Sequence, residues 1–362
     1  MSLGEDKRTL DTPALVLDLG VMEQNIARIA AACRDAGVNW RPHTKGQKVP
    51  AIAHRLLAAG ARGITVAKLG EAEVMAAAGI DDILIANQIA GQKKIVRLVA
   101  LRKRCDVIVA VDDAGNVAAL GAAAHAAGVR LRVVIEVNIG LNRAGVEPGE
   151  PCVVLARLVQ RQPGLAFAGV MSWEGHAAPI KDATEKASAV ASAVAKLTRS
   201  AALCREAGLP VDIVSCGGTG TYRLSIAQPG VTEIQAGGGI FCDIQYRKNY
   251  GIEHPYAMTI MTTVSSRPNP TRIVCDAGKK AMSGDAALPE PLGVAGVKSV
   301  RLSAEHATIE LDAPNTALKV GDPLEFVVGY TDTTVHLHET MYGVREGRVE
   351  EIWPVAGRGR LQ

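Results

Sequence analysis

The chain has 362 residues, 48% hydrophobic and 21% charged, with a formal net charge of +3. That length suits about two domains at roughly 150 residues each. The small charge, without a run of Lys or Arg, argues against a nucleic-acid partner, and no apolar run reaches the roughly 18 residues of a membrane span. The polar amino terminus lacks a signal peptide, and seven scattered cysteines favour a reducing, cytoplasmic setting.

The first two-thirds of the chain alternate short apolar runs with longer segments of helical periodicity, which is typical of a parallel α/β sheet or barrel. An opening strand, TPALVLDL, precedes eight further candidates: NWRPHTK, GITVAKL, DILIANQ, DVIVAVD, LRVVIEVN, LAFAGVMSW, VDIVSCGG and VTEIQAGG. Eight such units in about 200 residues favour a (β/α)8 barrel over an open doubly wound sheet. The absence of GxGxxG after the first strand also disfavours a dinucleotide-binding fold.

The pattern changes near residue 250, where short strands are joined by Gly, Pro and Asp turns with little helix between them. This texture predicts a separate C-terminal β domain over residues 249–362, after a barrel over residues 31–248. The proline-bearing stretch SSRPNPTR lies inside this β domain and is expected to form a hairpin loop.

Barrel enzymes place their sites at the C-terminal ends of the strands. Those ends carry Lys45, Arg143, His176 and the loop GGTGTY at residues 217–222. Taken singly, each has an ordinary explanation: a solvated lysine, an arginine paired with a carboxylate, a structural histidine and a tight turn. Together, a lysine and a loop suited to phosphate predict a pyridoxal phosphate site.

Several motifs carry a resemblance to a known family: DTPALVLDL, RPHTKGQK, NRAGV, EGH, SCGGTGTY, VTEIQAGGGIFCD and VCDAGKKAMS. The sequence resembles the D-threonine aldolase and D-serine dehydratase family, fold-type III pyridoxal phosphate enzymes related to alanine racemase. The resemblance runs nearly end to end. It implies that the strand within residues 1–30 joins the C-terminal β domain, and that the protein is a homodimer acting on a small D-amino acid.

The resemblance also implies roles for individual residues. Lys45 would bond covalently to the cofactor, Arg143 would lie near its ring, and Trp173, at a position usually tyrosine in relatives, would line the pocket. His176 matches a histidine that handles the substrate's β-hydroxyl. The cofactor phosphate would lie at the glycine-rich loops: Gly217, Gly218, Thr219, Gly220 and Thr221, with Gly237 and Gly238 close by.

The activity implied is cleavage of β-hydroxy-D-amino acids to glycine and an aldehyde. His176 favours this outcome, because several dehydratase members lack that histidine. D-serine or D-3-hydroxyaspartate dehydration and amino-acid racemisation stay open as alternatives. A small pyridoxal phosphate carrier is disfavoured, because such carriers have no β domain.

Metal-dependent relatives carry a His-x-Asp or His-x-Cys pair near the C-terminus that holds a divalent ion such as Mn²⁺, Mg²⁺ or Zn²⁺. Here Asp332 matches the second position, but Tyr330 stands at the first, and a neutral phenol is a poor ligand for these ions. His336 and His338 lie nearby, and strand alternation would place both on one face. The sequence therefore leaves open whether a metal is bound.

Overall fold

The structure is a computed structural model that describes residues 3–362 and divides the chain into two compact units. The barrel unit comprises Arg28–Lys45, Pro50–Gly237 and Gly359–Gln362. The β unit comprises Met1–Ala27 (described from residue 3), Gly46–Val49 and Gly238–Arg358. Each unit is therefore assembled from separate stretches of chain.

The strands are numbered along the chain as β1 Ala14–Asp18, β2 Asn39–Trp40, β3 Ile64–Val66, β4 Asp82–Gln88, β5 Asp106–Val111, β6 Leu131–Glu136, β7 Leu165–Met171, β8 Ile213–Cys216, β9 Glu233–Ile234, β10 Met258–Asn269, β11 Arg272–Cys275, β12 Glu290–Pro291, β13 Val297–Leu302, β14 Ala307–Leu311, β15 Pro323–Val327, β16 Thr340–Arg345 and β17 Arg348–Pro354. The α-helices are α1 Leu19–Asp35, α2 Pro50–Ala58, α3 Leu69–Ala77, α4 Gln92–Arg102, α5 Ala114–Ala126, α6 Glu150–Arg161, α7 Ala183–Glu206, α8 Tyr222–Ser225 and α9 Thr331–Thr334. None of the helices in the described residues is long and apolar enough to cross a bilayer.

The barrel unit contains an eight-stranded parallel sheet in the order β2-β9-β8-β7-β6-β5-β4-β3. A parallel bridge between His43, three residues after β2, and Thr65 in β3 closes the ring. The strands alternate with helices along the chain, so the predicted barrel is confirmed. Strands such as β5 are buried over nearly their whole length, which explains why they read as continuous apolar runs.

A buried ion cluster supports one part of this barrel. The fully buried Arg41 guanidinium lies 2.6 Å from the Asp82 carboxylate and 2.8 Å from that of Glu233. A buried cation is tolerated when such partners neutralise it and take up its hydrogen bonds. This cluster therefore links the segment leading to Lys45 with β4 and β9.

The β unit is built on a nine-stranded sheet whose main path runs β13-β14-β11-β10-β1-β16-β17, with β15 pairing β10 and β12. Strand β1 pairs antiparallel with β10 and parallel with β16, so the first strand does join the C-terminal sheet. Strands β10 and β11 form a hairpin around residues 270–271, as the proline-bearing stretch indicated.

Candidate active site

Lys45 lies beyond the C-terminal end of β2, where the barrel strands deliver their side chains. It is half-buried, and its Nζ lies 5.6 Å from the centroid of the Trp173 ring. Trp173 follows β7. Two strands that are far apart in sequence therefore bring these two residues together. At this distance the Lys45 amino group can interact with the face of the indole.

Arg143 approaches the same indole from the loop after β6. Its guanidinium carbon lies 5.6 Å from the Trp173 ring centroid, and its terminal nitrogen lies 3.5 Å from a carboxylate oxygen of Glu136. Glu136 is buried and also accepts a hydrogen bond from the Gln88 amide at 2.7 Å. The carboxylate therefore orients an arginine that is about half exposed toward the mouth of the barrel.

The loop after β8 also packs against Trp173. A Cβ atom added at Gly218 would lie 2.6 Å from the indole Nε1, so this close approach requires glycine. The amides of Thr221 and Tyr222 both donate to the Gly218 carbonyl, at 3.1 and 2.9 Å, which makes the loop a tight turn. Lys45, Arg143 and the glycine-rich loop thus share one aromatic neighbour.

His176 lies in the short 3₁₀ turn Gly175–Ala177 and is exposed. A Cβ atom at Gly140 would lie 2.9 Å from its Nε2, so the ring packs against the loop that also carries Arg143. Within residues 3–362, neither ring nitrogen of His176 has a hydrogen-bond partner. The ring is therefore available to exchange a proton with a small molecule.

The second glycine-rich stretch is divided between the two units. Gly237 packs against the backbone of His43 in the barrel unit, two residues before Lys45. Gly238 instead packs against the Tyr246 ring in the β unit. Thr219, Gly220 and Thr221 complete the loop after β8 and lie within the barrel unit.

The expected metal residues lie in the β unit, in a different local structure from the one predicted. Residues 331–334 form the short helix α9 and Val335–Leu337 form a 3₁₀ turn, so the strand that would place His336 and His338 on one face is wrong. The buried Val328 continues the apolar run of β15 to within three residues of this segment, which imitates a strand. The helical turn begins only at Thr331, whose N–H donates to Asp243 at 2.8 Å.

These residues do not offer a donor set for a divalent ion. The Tyr330 hydroxyl donates to Asp332 at 2.9 Å, and burial, followed by the nearby Asp332 charge, raises the pKa of this phenol well above its usual value. The His338 Nε2 lies 2.7 Å from the Ala281 carbonyl, and burial lowers the pKa of that ring. In the described part of the chain, no three His, Cys, Asp or Glu side chains come together as metal ligands.

One contact connects this cluster to the chain segment after Lys45. Gly46 belongs to the β unit and packs against Asp332 so closely that a Cβ atom would collide with the carboxylate.

Asp243, which is fully buried, accepts the N–H groups of Tyr246 and Thr331 at 2.8 Å each. Its role was not recognised from the sequence, because an isolated acid in IFCDIQ gives no local signal of two backbone partners.

The chain matches two family models: the alanine racemase N-terminal domain over residues 17–244 and a putative serine dehydratase domain over residues 257–344. It is 34% identical over 359 residues to a D-threonine aldolase of Arthrobacter sp., covering 98% of this chain and 95% of that protein. The chain belongs to the D-threonine aldolase and D-serine dehydratase-like family. This is a family of enzymes, and its alanine racemase-like fold implies pyridoxal phosphate.

Other members of the family differ in reaction. A 3-hydroxy-D-aspartate aldolase of Paracoccus denitrificans is 34% identical over 369 residues, covering 99% of this chain and 94% of that protein. A D-threo-3-hydroxyaspartate dehydratase of Delftia sp. is 36% identical over 282 residues, covering 76% of this chain and 74% of that protein. Among solved structures, D-threonine aldolase from Filomicrobium marinum matches all of both chains with a TM-score of 0.97 and 36% identity.

Proposed function

We propose that this protein is a pyridoxal phosphate-dependent lyase that cleaves β-hydroxy-D-amino acids to glycine and an aldehyde. The observation that carries the proposal is the approach of Lys45 and Arg143 to one indole, Trp173, with Gly218 packed against the same ring. Full-length relatives named as D-threonine aldolase and 3-hydroxy-D-aspartate aldolase support the same reaction.

The residues present fit the cofactor. The Lys45 amine would be the group that bonds to its aldehyde, and Arg143 would lie near its ring. The loop Gly217–Thr221 would receive its phosphate, as late barrel loops commonly do. When bound, pyridoxal phosphate supplies an electron sink for the bond that breaks at the substrate's Cα.

His176 is the residue proposed to move the proton. Its imidazole takes the proton of the substrate's β-hydroxyl as the Cα–Cβ bond breaks and the aldehyde leaves. A histidine suits this step because its ordinary pKa lies near neutrality. The exposed ring has no hydrogen-bond partner among the described residues, so it can face a substrate without first breaking an internal contact.

Dehydration is the second candidate, and the dehydratase of Delftia sp. supports it. That reaction removes the Cα proton and expels the β-hydroxyl, which needs an acid or a metal at the leaving oxygen. No metal donor set is present in the described residues, and no step through a metal is proposed. Tyr330 and Asp332 are therefore not assigned as ligands.

Product analysis tests the function directly. The purified protein, loaded with pyridoxal phosphate, is incubated with D-threonine, D-3-hydroxyaspartate and D-serine. Glycine plus an aldehyde from a β-hydroxy substrate supports the proposal. A 2-oxo acid plus ammonia identifies a dehydratase, and loss of optical purity without cleavage identifies a racemase; either overturns it.

The lysine assignment has its own test. Borohydride reduction of the cofactor-loaded protein, followed by peptide mapping, is expected to place the pyridoxyl label on Lys45, because its amine lies beside Trp173. Lys45→Ala should remove the label. Labelling of Lys48 or Lys68 in the wild type would contradict the assignment.

The proposal includes a homodimer, as the resemblance implies. Analytical ultracentrifugation of the purified protein should give twice the mass of a single chain, 37.9 kDa. A monomeric species with full activity would contradict this part alone.

A further inference from the structure

A fully buried carboxylate lies against the loop Gly217–Thr221. Glu174 is 0% exposed. Its Oε1 accepts hydrogen bonds from the hydroxyls of Thr221 at 2.6 Å and Ser225 at 2.5 Å, and its Oε2 accepts the Gly217 N–H at 3.3 Å. One side chain therefore holds both ends of the loop and the helix α8 that follows it.

None of these three partners of Glu174 carries a positive charge. A buried carboxylate without a cation is costly unless its oxygens are hydrogen-bonded. Hydrogen bonds to an ionised acceptor are roughly twice as strong as neutral ones. The carboxylate consequently imposes a direction on both hydroxyls: each must donate its proton to Glu174.

This direction changes what Thr221 can do. Its hydroxyl proton is committed to Glu174, while its oxygen accepts from the Gly218 N–H at 3.3 Å. A phosphate oxygen also needs a donor, so the Thr221 hydroxyl cannot serve it while it donates to Glu174. The Thr221 side chain thus contributes hydrogen bonds to the support of the loop.

We propose that Glu174 is a positioning residue that holds the loop Gly217–Thr221 in the shape that receives the cofactor phosphate, and that Thr221 and Ser225 act as its tethers. This inference rests on the proposed function, because it takes the loop to be the phosphate site. Glu174 acts through the loop and does not contact the cofactor itself.

The test compares two buried serines that differ in which carboxylate they bind. Ser225 and Ser215 are both fully buried, and each donates to a buried carboxylate, Glu174 at 2.5 Å and Glu233 at 2.9 Å respectively. Apo protein is titrated with pyridoxal phosphate and with pyridoxal, which lacks the phosphate. Ser225→Ala should weaken pyridoxal phosphate binding by roughly tenfold and leave pyridoxal binding unchanged, because one hydrogen bond of the tether is lost.

Ser215→Ala should leave the ratio of the two affinities at the wild-type value, even where it lowers the unfolding temperature. A merely structural role for Ser225 would change stability and not this ratio. An unchanged ratio in Ser225→Ala, with intact wild-type binding, would overturn the inference.

The Glu174→Gln variant separates the effect of the loop's geometry on cofactor binding from the effect of the carboxylate's charge. The amide keeps an oxygen for the hydroxyls but turns an N–H group toward the Gly217 N–H, so the loop loses an anchor while a negative charge near the phosphate disappears. We expect pyridoxal phosphate affinity to fall by about tenfold or more. A rise would mean that charge repulsion dominates, and would overturn the positioning role.

The two levels of failure are distinguishable. If the wild type binds pyridoxal as tightly as pyridoxal phosphate, the phosphate site of the proposed function is wrong. If the wild type prefers pyridoxal phosphate and the Ser225→Ala variant keeps that preference, only the role of Glu174 is wrong. Should Glu174→Gln fail to fold, Ser225→Ala decides the question.

Discussion

His176 is held by packing rather than by hydrogen bonds, since its ring lies against the Gly140 backbone and the described residues supply no partner for either nitrogen. His176→Ala should therefore reduce aldehyde formation without disturbing the cofactor. A positioned histidine contributes about 10²–10⁴ to the rate of such proton transfers, so kcat should fall within that range. The absorbance spectrum of the bound cofactor should match the wild type.

His125→Ala is the matched control, because that histidine is exposed at the end of α5 in the same unit. Its turnover should equal that of the wild type. Equal turnover in His176→Ala would show that the histidine only fills space over the loop, and the proton would then need another carrier.

At the scale of elements, the expected metal residues Tyr330 and Asp332 lie at the start of the short helix α9. Tyr330 donates to Asp332 at 2.9 Å, and the pKa of the phenol is raised by burial, so Tyr330 stays protonated. Tyr330→His replaces this donor with a metal-binding nitrogen beside the same carboxylate. Calorimetric titration should then detect Mn²⁺ binding that is weak or absent in the wild type, since histidine and carboxylate are both accepted ligands.

Tyr330→Phe provides the control for this exchange. It removes the hydroxyl and adds no ligand, so it should not bind Mn²⁺ more tightly than the wild type does. Tight stoichiometric binding by the wild type itself would mean that other groups complete a site there.

Elements differed in how far the sequence predicted them. The barrel strands were readable because strands such as β5 are covered on both faces and leave uninterrupted apolar runs. The start of α9 could not be predicted, because the apolar residues before Tyr330 resemble a continuing strand. The carboxylate that accepts the Thr331 N–H also lies 88 positions away, in Asp243. Glu174 was missed for the same reason: its tether Ser225 lies 51 positions along the chain.

At the scale of the whole molecule, each unit draws on stretches that are distant in sequence. Strand β1 lies between β10 and β16. The hydrophobicity of β1 predicts that the strand is buried, but it does not say which strands it pairs with. Only the family resemblance indicated the partner. The chain also returns to the barrel unit for its last residues, Gly359–Gln362, which no local pattern announced.

The stability of the molecule should depend on pH through Asp243. This carboxyl is fully buried, and burial raises its pKa from 3.8 to about 7, although the N–H groups of Tyr246 and Thr331 oppose the shift. A raised pKa means that the folded state holds the proton more tightly than the unfolded state does. The stabilisation is therefore complete below pH 3.8 and is lost as the pH rises toward about 7.

Asp243→Asn removes this titration. The free energy of unfolding of the wild type, measured relative to the variant by denaturant titration, should fall between pH 4 and 7 and level off above that. At about 1.4 kcal/mol per unit of pKa difference, the fall is on the order of 4 kcal/mol at most. The phenols of Tyr246 and Tyr330 do not titrate in this window, because burial raises their pKa values further.

The Asp243→Asn variant should also lose some stability at every pH. This constant loss reports on hydrogen bonding, whereas the change with pH reports on charge. Asp243 accepts one backbone N–H on each oxygen, whereas an asparagine must turn its own N–H₂ toward one of them, so the variant should be less stable at low pH. Asp312→Asn, at an exposed carboxyl, should show neither the offset nor the change with pH. A difference between wild type and Asp243→Asn that stays constant from pH 4 to 7 would mean that the buried carboxyl is ionised throughout, and that its two N–H donors outweigh the cost of burying its charge.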